Sequence, residues 1–113
     1  MKRIEATVRM ERCGQVLRAL QVVGCRRVRT ARIQEGNPQP RGAWGGSKAA
    51  RCGLETRAQV EVFAADGDVD QIIGAILAAA RTGERGDGLI VVSTIESAVR
   101  IRNGERGPRA IEP

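Results

Sequence analysis

The 113-residue chain has no histidine and no tyrosine. An imidazole-based catalytic triad is therefore excluded. So is a Cys/His zinc site, because Cys13, Cys25 and Cys52 lack CxxC spacing and have no histidine to complete a tetrahedral set. An odd number of cysteines in a chain with no secretory leader reads as reduced thiols. Aromatic residues are nearly absent, with only Trp44 and Phe63. Sheets that bind single-stranded nucleic acid stack bases on exposed aromatic rings, and strands offering Phe63 alone argue against that use, so no nucleic-acid partner is expected. No stretch approaches the roughly 18 apolar residues of a membrane span. Met1-Lys2-Arg3-Ile4 runs into a charged strand, not the apolar region of a signal peptide. The expectation is a cytoplasmic protein with no direct membrane insertion.

What is present suffices for one domain, residues 1–113, with a core of Val, Ile, Leu and Ala. Large apolar side chains are few for a monomer of this length, and an oligomer would supply the missing burial. Nineteen Lys and Arg against thirteen Asp and Glu give a net charge of +6, which draws anions such as nucleotides or acidic protein surfaces.

Residues 2–9 alternate, with Ile4, Ala6 and Val8 on one face and Glu5, Thr7 and Arg9 on the other, as a half-buried strand requires. From Arg12 the period changes: Cys13, Val16, Leu17, Leu20 and Val23 mark an amphipathic helix that Gly24 ends. Val28, Thr30 and Ile33 support a second strand over residues 25–34. Residues 36–55 are rich in glycine and cations and interrupted by Pro38 and Pro40, the composition of a long mobile loop. A second unit follows. Thr56 to Ala64 alternates around Val60 and Val62, Asp66 is placed to cap a helix, and Val69, Ile72, Ile73, Ile76, Leu77 and Ala80 form its stripe up to Thr82-Gly83. Leu89 to Val92 reads as a strand and Ala98 to Arg102 as another, with a polar tail over 103–113. Two βαβ units predict an α+β, ferredoxin-like sheet with both helices on one face and an extra C-terminal strand. The other sheet face is then left to solvent or a partner.

Chemistry concentrates near the C-terminal end. Thr82-Gly83-Glu84-Arg85-Gly86-Asp87-Gly88 is a glycine-rich turn able to present backbone N–H groups to an anion. On a strand, Arg100 and Arg102 would share a face and reach the same phosphate-bearing ligand. Nothing supplies a catalytic constellation, and an enzyme is not expected.

The runs Ala78-Ala79-Ala80-Arg81-Thr82-Gly83-x-x-Gly86-Asp87-Gly88-x-Ile90 and Val99-Arg100-Ile101-Arg102-x-Gly104-Glu105 resemble the nucleotide loop and last strand of the PII signalling proteins. Met1-Lys2-x-Ile4-x-Ala6, Ala19-Leu20 and Val23-Gly24 resemble that family's first strand and helix. The resemblance implies a homotrimer with adenine nucleotides in the clefts between subunits. It implies that Gly86, Asp87 and Gly88 wrap phosphates, that Arg100 and Arg102 reach them, and that Glu61 and Arg29 lie on the adenosine side. It implies further that the loop over 36–55 is the family's T-loop, through which a protein target, a transporter or a metabolic enzyme, is contacted; Gly36, Gln39, Arg41 and Trp44 are candidate contacts there.

Two departures qualify this. Leu89 stands where relatives carry a lysine for the outer phosphates of ATP, and Glu35-Gly36-Asn37-Pro38-Gln39 replaces the usual T-loop entry, losing its arginine but keeping a glutamine. The family's magnesium and 2-oxoglutarate site is thereby left open. With no tyrosine, the tyrosine nucleotidylation of some relatives is excluded. The expectation is a divergent PII-like protein favouring ADP or AMP over Mg-ATP. Divergent members are associated with bicarbonate transporters and carboxysome operons, and bicarbonate is a candidate co-ligand. The alternative is a nitrogen-regulatory protein sensing ATP, ADP and 2-oxoglutarate.

Overall fold

The computed structural model describes residues 1–36 and 53–112. Its elements are β1 (Lys2–Arg9), α1 (Cys13–Val22), β2 (Arg29–Gly36), β3 (Leu54–Ala64), α2 (Val69–Ala80), β4 (Gly88–Thr94) and α3 (Pro108–Ile111). Single 3-10 turns lead into α1 and α2. The strands form one antiparallel sheet in the order β2-β3-β1-β4, the ferredoxin-like arrangement expected from the two βαβ units.

The alternation in β1 becomes a two-faced sheet because β1 and β3 pair in register, Ile4 opposite Val62, Ala6 opposite Val60 and Val8 opposite Ala58. All six are buried, and Val16 and Leu20 of α1 with Ile72, Ile76 and Ala80 of α2 close over them. The helical spacings thus point to the side chains that pack, with Cys13, Leu17 and Val23 at the margin of the core. The opposite sheet face carries Arg3, Glu5, Thr7 and Arg9 on β1 and Arg57, Gln59, Glu61 and Phe63 on β3. No helix among the described residues covers it. None of those helices is long and apolar enough to cross a membrane.

Strand β4 runs Gly88–Thr94, beyond the expected Leu89 to Val92, and four further features differ from the sequence reading. The second strand begins at Arg29, not residue 25, because Cys25 to Val28 is the extended link that leaves α1 after Gly24 (φ +93°). Strands β2 and β3 reach Gly36 and Leu54, so both ends of the expected loop belong to the ladder. Gly36 fits there because a Cβ on it would stand 2.7 Å from the Gly53 carbonyl oxygen. Asp66 does not cap α2; it opens the preceding 3-10 turn, and its carboxylate meets the amino group of Met1 at 2.8 Å.

The fourth difference bears on function. Residues 98–102 do not form a strand. Val99 makes a single bridge to Arg106, and the chain turns back at once, with the Arg100 N–H donating to the Glu105 carbonyl and the Gly104 N–H to the Arg100 carbonyl. The sheet has no fifth strand among the described residues. The tail also contains α3, which buries Ala110.

Leu20 is fully buried and Val22 is 86% exposed on the same helix. Leu20→Ala should cost about 2–5 kcal/mol of unfolding free energy through lost contacts and a residual cavity. Val22→Ala should leave the urea midpoint nearly unchanged, and equal midpoints for the two variants would contradict this packing.

Candidate functional site

The turn between α2 and β4 is organised from within by one carboxylate. Asp87 accepts the N–H of Thr82 at 2.9 Å and of Gly83 at 2.8 Å, the Thr82 hydroxyl, and Arg9 Nε at 3.2 Å. The Thr82 hydroxyl and N–H, then the Gly83 N–H and the Arg9 guanidinium, hold its carboxyl far below the usual carboxylate range. Asp87 is therefore the brace of the loop, and its carboxylate faces the turn itself. Arg9 adds a second tie by donating from Nη2 to the Arg85 carbonyl at 2.7 Å.

Two glycines let the loop sit this close. Gly88 has φ +109°, and a Cβ there would stand 1.7 Å from the Thr7 carbonyl oxygen, so any side chain would push β4 from β1. A Cβ on Gly86 would meet guanidinium nitrogens of Arg9 and Arg57, both at 3.3 Å. Those arginines are directly opposed in the β1–β3 register. Arg57 also pairs with Glu55 at 2.5 Å and faces Glu35 at 4.0 Å. The sequence reading missed Arg9 and Arg57; their signal lies in pairing, since only the register places the last residue of β1 against the turn. Leu89 follows on β4 and is 67% exposed.

Arg29 and Glu61 lie elsewhere. They are partners across the β2–β3 register and form an ion pair at 3.1 Å, with Arg3 on the other side of Glu61 at 3.5 Å. They line a cleft of about 480 Å³ between the α1–β2 link, Phe63 and α3. Cys25 shares this cleft, and partial burial, then the charge of Asp68, pushes its thiol up, away from the thiolate form. A second groove of about 450 Å³ runs between α2 and β4, lined by Leu77, Asp87, Gly88 and Leu89. The two openings share no lining residue. One reaches edge strand β2 and the other edge strand β4, which lie three strand spacings or about 14 Å apart in the sheet.

Arg100 and Arg102 are not a strand pair. Arg100 Nη2 donates to the carbonyls of Arg109 at 2.6 Å and Glu112 at 2.8 Å, and Nη1 meets Glu105 at 3.2 Å. Arg102 is exposed in the turn. Gly36 ends β2, whereas Gln39, Arg41 and Trp44 lie outside the described residues. Among the described residues no group of three or more His, Cys, Asp or Glu side chains converges on a possible metal position.

These features define a small sheet protein whose polar residues, among those described, gather at two marginal clefts. The sequence model of the family described as "Nitrogen regulatory protein P-II" matches residues 1–105. A protein named nitrogen regulatory protein P-II 2 from Methanothermobacter thermautotrophicus is 33% identical, with 98% of this chain and 97% of that protein covered. The Rhizobium meliloti nitrogen regulatory protein P-II is 37% identical over 98% of this chain and 100% of its own length. Among solved structures, Arabidopsis thaliana PII bound to citrate superposes with a TM-score of 0.80 at 29% identity, covering 99% of this chain and 90% of that one. The chain belongs to the P-II family of regulatory signalling proteins, as its turn and C-terminal motifs suggested.

Because the folded Asp87 carboxyl lies below its ordinary value of 3.8, its contribution to stability is complete above that pH and is lost as pH falls below it. Asp87→Asn should remove this part of the acid dependence, seen as a shallower loss of stability below pH 3.8 than in the parent protein. Identical acid profiles would mean that the carboxylate does not brace the turn in solution.

Proposed function

We propose that this protein is a trimeric signalling regulator, not an enzyme, that binds an adenine nucleotide between subunits and reports it to a protein target through residues 36–55. The two-margin arrangement supports an intersubunit site. Arg29 and Glu61 of one chain and the Gly86-Asp87-Gly88 turn of the same chain open on opposite sides of the sheet, so a cyclic neighbour would bring one wall against the other. The thin core and the exposed Leu89 and Val91 on edge strand β4 are consistent with burial by such a neighbour.

The nucleotide preference rests on Leu89. This apolar side chain is exposed immediately after the turn, where a cation would be needed to hold the outermost phosphate of ATP. ADP and AMP lose least by its absence, and they are the preferred ligands in this reading. A small anion has a second place to bind: Arg9 and Arg57 are opposed across β1 and β3, and Arg57 Nε is buried with no hydrogen bond among the described residues, its nearest carboxylate being Glu35 at 4.0 Å, which the anion would have to displace. Bicarbonate suits that position, and this favours inorganic-carbon signalling with a transporter or metabolic enzyme as target. The names of the relatives favour the second reading, nitrogen regulation with ATP, ADP and 2-oxoglutarate as effectors.

Titration calorimetry with ATP, ADP and AMP, each with and without magnesium, bicarbonate and 2-oxoglutarate, separates the two. ADP or AMP should bind at least as tightly as Mg-ATP. Leu89→Lys should tighten ATP about tenfold or more, the scale of one charge-assisted contact. Tight Mg-ATP binding that depends on 2-oxoglutarate would overturn the carbon reading in favour of nitrogen sensing. A monomer by light scattering at assay concentration, with or without nucleotide, would overturn the intersubunit site.

A further inference from the structure

The C-terminal segment and the cleft that holds Arg29 and Glu61 are one assembly. Pro108, Ile111 and Glu112 form one wall of that cleft, and Arg29, Glu61 and Phe63 form the facing part. The segment is held chiefly by Arg100. Its Nη2 donates to the carbonyls of Arg109 and Glu112 at the C-terminal end of α3, and its Nη1 pairs with Glu105, which also approaches Arg109 Nε at 3.9 Å. The Arg100 side chain is 21% exposed, and both of its terminal nitrogens are engaged by residues 105–112.

A guanidinium offers five N–H donors in a fixed plane. Those of Arg100 meet the Arg109 and Glu112 carbonyl oxygens and the Glu105 carboxylate. A phosphate offers the same kind of acceptor with more charge, so it competes for the same donors. We infer that residues 105–112 are an internal latch: they occupy Arg100 as seen here and are released when a phosphate-bearing ligand takes their place.

This inference rests on the proposed nucleotide site and adds its regulation. In the latched state Arg100 faces residues 105–112 and α3 lines the cleft. Ligand binding must break the Arg100 contacts to the Arg109 and Glu112 carbonyls, which frees α3 from the wall of the cleft. Ligand affinity is then lowered by the fraction of molecules that remain latched, and any contact that stabilises α3 elsewhere raises affinity. The device gives the ligand an output at residues 105–112. Ala110 is the hydrophobic seat of the latch: it is 7% exposed, and its N–H donates to the Gly107 carbonyl at 2.9 Å.

Hydrogen exchange of the 106–112 peptide in the full-length chain tests the latch without any ligand. Arg100→Ala should abolish protection of that peptide while β1 and β3 stay protected; unchanged protection would overturn the latch whatever the protein binds. Adding ADP to the parent protein should also deprotect 106–112, and increased protection would instead make the segment a lid that folds onto the ligand. Ala110→Asp, which unseats α3 but leaves every proposed ligand contact in place, should bind ADP about fivefold or more tightly, the low end of coupling between linked equilibria. Equal ADP affinity in parent and Ala110→Asp would overturn competition. If ADP binds neither protein, the nucleotide reading falls and the gating role falls with it, while the Arg100→Ala comparison still decides whether the latch exists.

Discussion

The approach of Gly88 to the Thr7 carbonyl is the constraint on which the functional half of this molecule depends. Antiparallel pairing of β4 with β1 must begin at Val8–Gly88, immediately after a turn that leaves α2. Only a residue without a Cβ can occupy that point with φ +109°. Once Gly88 is seated, Asp87 is directed back into the turn, where it collects donors from Thr82 and Gly83 and the Arg9 guanidinium. One glycine therefore sets the register of an edge strand, the shape of the loop and the position of two arginines. The acidic residue of the Gly-Asp-Gly turn is committed to the architecture of the turn.

The charges around the sheet follow the same economy. Arg9 and Arg57 are like charges directly opposed across β1 and β3, an unfavourable pair in isolation. Asp87 sits against one of them, and Glu55 with Glu35 against the other, so the pair is tolerated at the margin of the turn. A second row does the converse. Glu5 and Glu61 are opposed, and Arg3 bridges them while Arg29 extends the chain of charge to β2. The open sheet face thus has two ion-paired clusters, one at Arg9 and Arg57 and one four residues along β3 at Glu61, about 13 Å away.

Much of this was legible in the residues. The period of two in β1 and β3 and the 3.6 period of α1 and α2 named nearly every buried side chain, because each element has a single apolar face and one partner layer to bury it against. Arg29 and Glu61 were singled out by resemblance, and register unites them as an ion pair. The misreading fell on Arg100 and Arg102. Val99-Arg100-Ile101-Arg102 alternates as a strand does, but alternation over so few residues has no force without a neighbouring edge to pair with. Here Asn103-Gly104 turns the chain back after one bridge, and Ile101 is left fully exposed. Arg9 and Arg57 were missed because a residue on a polar face gives no local sign of what lies opposite. Such pairs are properties of register, which a one-dimensional pattern does not contain.

The same arginine that misled the strand reading also shows how much a cation at a chain terminus can do. A lysine at position 100 would present one point charge and could not hold the Arg109 and Glu112 carbonyls and the Glu105 carboxylate in a single planar arrangement. The fork satisfies the end of a four-residue helix that is too short to stand alone, so α3 exists through tertiary contact and not through propensity. An element of that kind is inexpensive to displace, because its stability is concentrated in a few contacts that a stronger acceptor can replace. In the proposed reading Leu89 and Arg100 would act in opposite directions on a phosphate-bearing ligand: the first offers no cation to an outer phosphate, and the second is committed to the chain itself. Affinity in such a site would be set less by the number of cations present than by how many are free.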